Sequence, residues 1–279
     1  MTRKRIMLSF AILSTMLGAC SQIPDFDQPN NLSANEQETV VGSSEGQLTL
    51  VLNAKADFAQ TRSVTESTYK NVDNYTVVVT DKDGVEKMNC KGSEVASKMP
   101  LTMSIGSYEI KAFYGTERPA SRDEFYVFGE VKGSIKADQR ESVNVVCTPT
   151  CGRIIVNFDN TMSTYYSDYQ VTFTGTQALG TETIAWSKDD SDPWYVKLNE
   201  GGERISFTVA TTPKDEYANN EQQGDSKTGS FTLERNKSYK INISANYTPT
   251  DIGSLGINIT IDESTNDIPV DIEVPIEWV

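Results

Sequence analysis

The chain has 279 residues, enough for one large or two ordinary domains, and its 37% hydrophobic content with 12 Tyr, 10 Phe and 3 Trp supplies real core material. It contains no histidine, which removes Ser-His-Asp and Cys-His catalysis, histidine general-base chemistry and every metal site that needs an imidazole. A formal net charge of -14 disfavours nucleic acid and anionic lipid surfaces as partners, since both require clustered Lys and Arg.

The first twenty residues read as an address. Arg3, Lys4 and Arg5 precede an apolar run from Ile6 to Leu17, followed by Gly18, Ala19 and Cys20. This is the pattern of a secretory signal peptide over residues 1–19, and its apolar run is shorter than the roughly 20 residues that cross a bilayer. Leu17-Gly18-Ala19-Cys20 resembles the bacterial lipobox. That resemblance implies recognition of Leu17, Gly18 and Ala19 by a signal peptidase, diacylation of the Cys20 sulfur, and a mature chain beginning at Cys20. The membrane partner is then the lipid anchor, and the expected location is the outer membrane with the body exposed at the cell surface. Residues 20–46, rich in Asn, Gln, Ser, Pro and acids without sustained periodicity, form the expected flexible tether.

From residue 47 onward the dominant signal is period-two alternation, which buries one face of a strand and wets the other. Leu48, Leu50 and Leu52 begin it. Tyr75, Val77 and Val79 follow, then Asp81-Lys82-Asp83-Gly84, a hairpin turn in which Gly84 takes positive φ. Tyr108, Ile110, Ala112 and Tyr114 make another face, and runs at 125–131 and 143–147 complete a first set. After Thr148-Pro149-Thr150-Cys151-Gly152 a second set starts with Ile154, Val156 and Phe158. It continues through Tyr169 to Phe173, Phe207 to Val209, Phe231 to Leu233, Tyr239 to Ala245 and Leu255 to Ile261, and ends with Val270 to Ile276. The predicted fold is all-β: two tandem antiparallel β-sandwich modules, residues 47–150 and 151–279, behind the signal peptide and tether. A weak repeat supports two modules. Gln47–Asn53 corresponds to Gly152–Phe158, Asn74–Val77 to Asp168–Val171, and Ser107–Ile110 (SYEI) to Ser238–Ile241 (SYKI). Pro275 removes an amide donor from the last strand, so that strand is expected at a sheet edge, closing the second module.

The lipobox, the acidic tether, Gln60-Thr61-Arg62-Ser63 ahead of the second strand, and the junction Ser142–Phe158 together resemble the fimbrillin-like surface lipoproteins of anaerobic gut bacteria. They are most similar to a related lipoprotein family whose shared domain has no assigned function. The resemblance implies a non-enzymatic, lipid-anchored surface protein serving in adhesion or as an accessory fimbrial subunit, with other surface or fimbrial subunits or a host ligand as partners. In the pilins of that group a protease cuts after an Arg in the first strand region. Arg62 matches by local context and lies beyond the first strand, and it is the candidate processing site.

Two further features bear on chemistry. Lipidation of Cys20 leaves Cys90, Cys147 and Cys151, an odd number that cannot all pair within the chain; Cys147 and Cys151 pair only if Thr148-Pro149-Thr150 turns sharply, and buried or unpaired thiols are the favoured expectation. The run Ser187 to Tyr195, with Trp186 just before it, joins carboxylates to aromatics. Trp186, Asp189, Asp190, Asp192, Trp194 and Tyr195 form a candidate ligand loop, because sugar binding stacks rings on Trp. It lacks the spaced pattern of a calcium loop. The alternatives are a solvated hairpin tip with Trp194 over a core edge or, for the whole protein, a glycan- or small-ligand-binding lipoprotein. No cofactor and no metal site is expected.

Overall fold

In the computed structural model the described residues are 44–56, 58, 66–218, 226–248, 254–264 and 271–273. Leu17, Gly18, Ala19, Cys20 and Arg62 lie outside them. A first set of strands comprises β1 (Glu45–Ala54), β2 (Thr76–Asp81), β3 (Glu86–Lys91), β4 (Leu101–Ser104), β5 (Gly106–Tyr114), β6 (Ala120–Ser121), β7 (Val127–Ile135) and β8 (Arg140–Pro149). A second comprises β9 (Cys151–Phe158), β10 (Tyr166–Thr174), β11 (Ile184–Ser187), β12 (Trp194–Lys197), β13 (Glu203–Pro213), β14 (Ser226–Leu233), β15 (Ser238–Thr248), β16 (Ser254–Ser264) and β17 (Asp271–Glu273). Among the described residues helix is confined to short pieces such as α1 (Val95–Lys98) and α2 (Asn160–Tyr165). No helix among the described residues is long and apolar enough to cross a membrane.

Alternation does what it predicts. Leu48 and Leu50 of β1 are buried, as are Tyr108, Ile110 and Ala112 of β5, Ile205, Phe207 and Val209 of β13, and every second residue of β16 from Leu255 to Ile261. The β2–β3 turn places Gly84 at φ 75, a region that only glycine enters cheaply. Asp81 fixes the turn by accepting the amides of Asp83 at 2.9 Å and Val85 at 3.0 Å on its Oδ1.

The sheet orders reveal a duplication. The first set runs β3-β2-β5-β7-β8-β1-β4, but β7 and β8 join only at Val127↔Pro149 and Phe128↔Thr148. It therefore divides into β3-β2-β5-β7 and β8-β1-β4, whose inner faces share one core containing Leu48, Val77, Ile110, Val127 and Val145. The second set repeats this as β11-β10-β13-β14 and β15-β9-β12, around a core containing Ile154, Val171, Phe173, Trp186 and Ile241. Strand for strand and in chain order, β1 to β5 match β9 to β13, β7 matches β14, and β8 matches β15.

Two expectations change. The pair SYEI and SYKI is not equivalent, because SYEI lies on β5, the counterpart of β13, whereas SYKI lies on β15, the counterpart of β8. Alternating Tyr and Ile suit any half-buried strand, so local likeness does not fix a strand's place. The sheets are also not wholly antiparallel. β1 pairs in parallel with β8, and β9 with β15. Each opening strand runs beside a strand far along the chain, β8 or β15, which the many intervening residues permit.

The second set carries additions. β15 and β16 form a long antiparallel ladder from Ser238↔Ser264 to Thr248↔Ser254. Beyond it β17 pairs Thr260↔Glu273 to Asp262↔Asp271 at the sheet edge. At the opposite edge sits β6, which belongs to the β5–β7 connection of the first set yet pairs with β12. The exchange runs both ways, since Cys151 and Tyr195 of the second set are buried in the first core while Ala120 packs against the second. Gly42–Val279 is one compact unit.

Candidate functional site

The candidate ligand loop joins β11 to β12, and these two strands do not pair with each other. β11 bonds to β10 in one sheet and β12 to β9 in the other. The segment is thus a crossing from sheet to sheet at the end of the sandwich, not a hairpin tip. Asp190 accepts the amide of Asp192 at 3.1 Å on its Oδ1 and donates its own amide to the Ser187 carbonyl at 3.0 Å, which turns the chain.

Trp186, fully buried, packs edge-on to Phe173 with ring centroids 5.2 Å apart and donates its Nε1–H to the Asp192 carbonyl at 2.8 Å. Trp194 is half-buried, and its Nε1 donates to the Ala185 carbonyl at 3.4 Å. Alternation sends Tyr195 to the opposite side, where it meets Phe125 at 4.8 Å and Phe58 at 5.6 Å. Asp189 stands exposed on the turn.

A residue from the other strand set completes this arrangement. Arg122 comes directly after β6, and its guanidinium lies 4.7 Å from the Trp194 ring centroid and 5.5 Å from that of Trp186. Nη1 donates to Asp190 Oδ1 at 2.7 Å and Nη2 to Asp190 Oδ2 at 2.5 Å, the two-pronged geometry of the strongest Arg–carboxylate pairs. The remaining donors reach the carbonyls of Ala185 at 2.8 Å and Asp192 at 3.1 Å. Side chains 23% and 26% exposed place the pair between a surface ion pair and a buried one. Trp186, Asp190, Asp192 and Trp194 therefore converge on one protein cation, and Asp189 and Tyr195 stand apart from it. Sequence reading missed Arg122 because its carboxylate partner lies 68 residues away and nothing in its polar neighbourhood distinguishes it from a solvated loop.

The cysteines offer little reactivity. Cys90, Cys147 and Cys151 are buried, and burial pushes the Cys147 thiol up to about 12, leaving it protonated and non-nucleophilic at neutral pH. Among the described residues no group of three or more His, Cys, Asp and Glu is arranged to hold a metal ion. Two open polar clefts stand out among the described residues. One of about 460 Å³ lies at the start of β1 beside Thr102, Gln139 and Arg140, and one of about 530 Å³ lies between Phe128 and Val146 on one side and Glu200 and Arg235 on the other.

Comparison with known proteins adds the family. The model of the domain of unknown function DUF4493 matches residues 44–276, and the chain belongs to that family. No curated protein matches the sequence. Among solved structures, the chain is similar to a fimbrial assembly protein from Parabacteroides distasonis at 13% identity and a TM-score of 0.40, covering 78% of this chain and 94% of that one. It is also similar to a candidate polysaccharide-binding protein from Bacteroides thetaiotaomicron at 12% identity and a TM-score of 0.42, covering 83% and 99%. A candidate adhesin from Bacteroides ovatus matches at 10% identity and a TM-score of 0.42, covering 82% and 94%. These are loose likenesses in strand arrangement.

Proposed function

We propose that this DUF4493 protein is a lipid-anchored protein of the cell surface, held in the outer membrane through Cys20, that serves in adhesion or as an accessory fimbrial subunit and performs no reaction of its own. The observation that carries the reading is the pairing of an acylation motif with a body of two sandwiches whose most ligand-like loop already holds the protein's own Arg122. In this reading the modules meet at Thr150, and a processing protease cuts after Arg62. A glycan-binding lipoprotein would need a stacking surface other than Trp186 and Trp194, whose rings face the guanidinium.

Location and activity are tested separately. Cys20→Ser in the native host should abolish incorporation of labelled palmitate and leave an unprocessed precursor, and protease added to intact cells should digest the wild-type body. An unmodified Cys20 peptide recovered from wild-type cells by mass spectrometry refutes the anchor. Deletion of the gene should lower binding of cells to host surfaces or shorten or thin their fimbriae, and unchanged adhesion together with unchanged fimbriae refutes the role.

A further inference from the structure

The strand sets are covalently joined at Thr150 alone, between the end of β8 and the start of β9, and the side chains of Cys151 and Tyr195 buried in the first core leave a backbone attachment to be made beside them. The β5–β7 connection supplies it. Its backbone pairs Ala120 with Val196 and Ser121 with Tyr195, the Pro119 carbonyl accepts the Lys197 amide at 2.9 Å, and Glu117 bridges the Lys197 ammonium at 2.9 Å. A two-residue strand held at an edge is weak by itself. Arg122, the next residue in the chain, reinforces it.

We propose that the second sandwich carries a binding site for a planar guanidinium, built from Asp190, the carbonyls of Ala185 and Asp192 and the Trp194 face, and that Arg122 of the first sandwich is its resident ligand. The site works as a latch that makes the two sandwiches one body. Its selectivity comes from shape. Asp190 takes two parallel N–H bonds and the two carbonyls take the outward-pointing hydrogens in the same fork, while the flat cation stacks on indole; an ammonium offers a single point of charge and cannot fill those positions together. The ligand is supplied in cis, so the site is filled at any protein concentration, which a free guanidinium would match only at high concentration.

Hydrogen exchange on the purified full chain tests this, read on the peptide spanning 194–198, whose Lys197 amide bonds to Pro119. Arg122→Ala should speed exchange there by about tenfold or more, with the amides of β5 and β13 unchanged, because local opening and not global unfolding is affected. In Arg122→Ala, ethylguanidinium should slow exchange at the 190–192 turn by filling the vacated site, without restoring 194–198 because a free cation does not tie β6 to β12, and ethylammonium at equal concentration should have no such effect. Arg122→Lys should behave like Arg122→Ala, and Arg122→Gln, which keeps much of the stem without the fork, serves if the alanine variant precipitates. Unchanged exchange at 194–198 overturns the proposal, as does equal slowing by ethylammonium or a loss of protection spread evenly through both cores.

Discussion

Arg153 donates from its Nε to the hydroxyl of Ser238 at 2.8 Å, across the parallel junction between β9 and β15 in which the two residues sit directly opposite each other. Arg153 is 2% exposed and its guanidinium lies 5.5 Å from the Phe58 ring centroid, so β9, β15 and a residue beyond β1 converge on one buried cation. A buried charge is tolerated only while its donors are used.

Ser238→Ala removes one acceptor while leaving the charge in place and should cost about 1–3 kcal/mol. Arg153→Ala adds a cavity and should cost about 3–5 kcal/mol. Arg153→Lys should not recover the loss, because an ammonium cannot occupy the Nε position. Urea denaturation of the three variants measures all of this.

Gly84 and Gly115 make a contrast. Both have positive φ, 75 and 85, but a Cβ at Gly84 meets nothing within 4 Å, whereas one at Gly115 overlaps the carbonyl oxygen of Phe125. Gly84→Ala should therefore cost only the backbone strain, about 1 kcal/mol. Gly115→Ala adds a clash in the connection that carries Arg122 and should cost about 2–4 kcal/mol. Thermal melts that rank the two the other way would contradict this.

Alkaline pH should weaken the fold. The Cys147 thiol has an ordinary value of 9.0 and burial lifts it to about 12; burial raises the Tyr75 phenol as well. The folded state then holds protons that the unfolded chain releases, so stability is full below pH 9 and declines as pH rises from about 9 toward 12. In Cys147→Ala the decline should be shallower over that window. Ellman's reagent should reach Cys147 of the wild type only under denaturing conditions.

Removing residues 270–279 should leave a folded monomer with a melting temperature lower by only a few degrees. The second set already reproduces the complete first set through β15, and β17 adds three residue pairs at the edge. Far-ultraviolet circular dichroism and analytical ultracentrifugation check this outcome, and loss of the β signal would show β17 to be essential to closure.

The features legible in the sequence are those that neighbours along the chain decide. The inward faces of β1, β2, β5 and β16 come from alternation, and the positive φ of Gly84 from its turn. Partnership between distant segments was not legible. The linker from β11 to β12 reads as a hairpin because adjacent strands often pair, yet β10 and β9 claim them. Arg122 and Asp190 carry no sign of each other, and the true equivalence of β8 with β15 is a fact of sheet order that no short match records.

The parallel pairs also set a timetable. Gln47 bonds to Arg140 across 93 positions and Arg153 to Ser238 across 85, so each opening strand, β1 or β9, has its antiparallel partner β4 or β12 well before its parallel partner β8 or β15 has been made. Contacts of such sequence separation form slowly. During synthesis one edge of β1 pairs with β4 and the other waits for β8, and β9 emerges just behind β8 while both β12 and β15 are still absent. The strand most exposed to mispairing is therefore β9, in the interval when the first sandwich has closed and the second has only its opening strand.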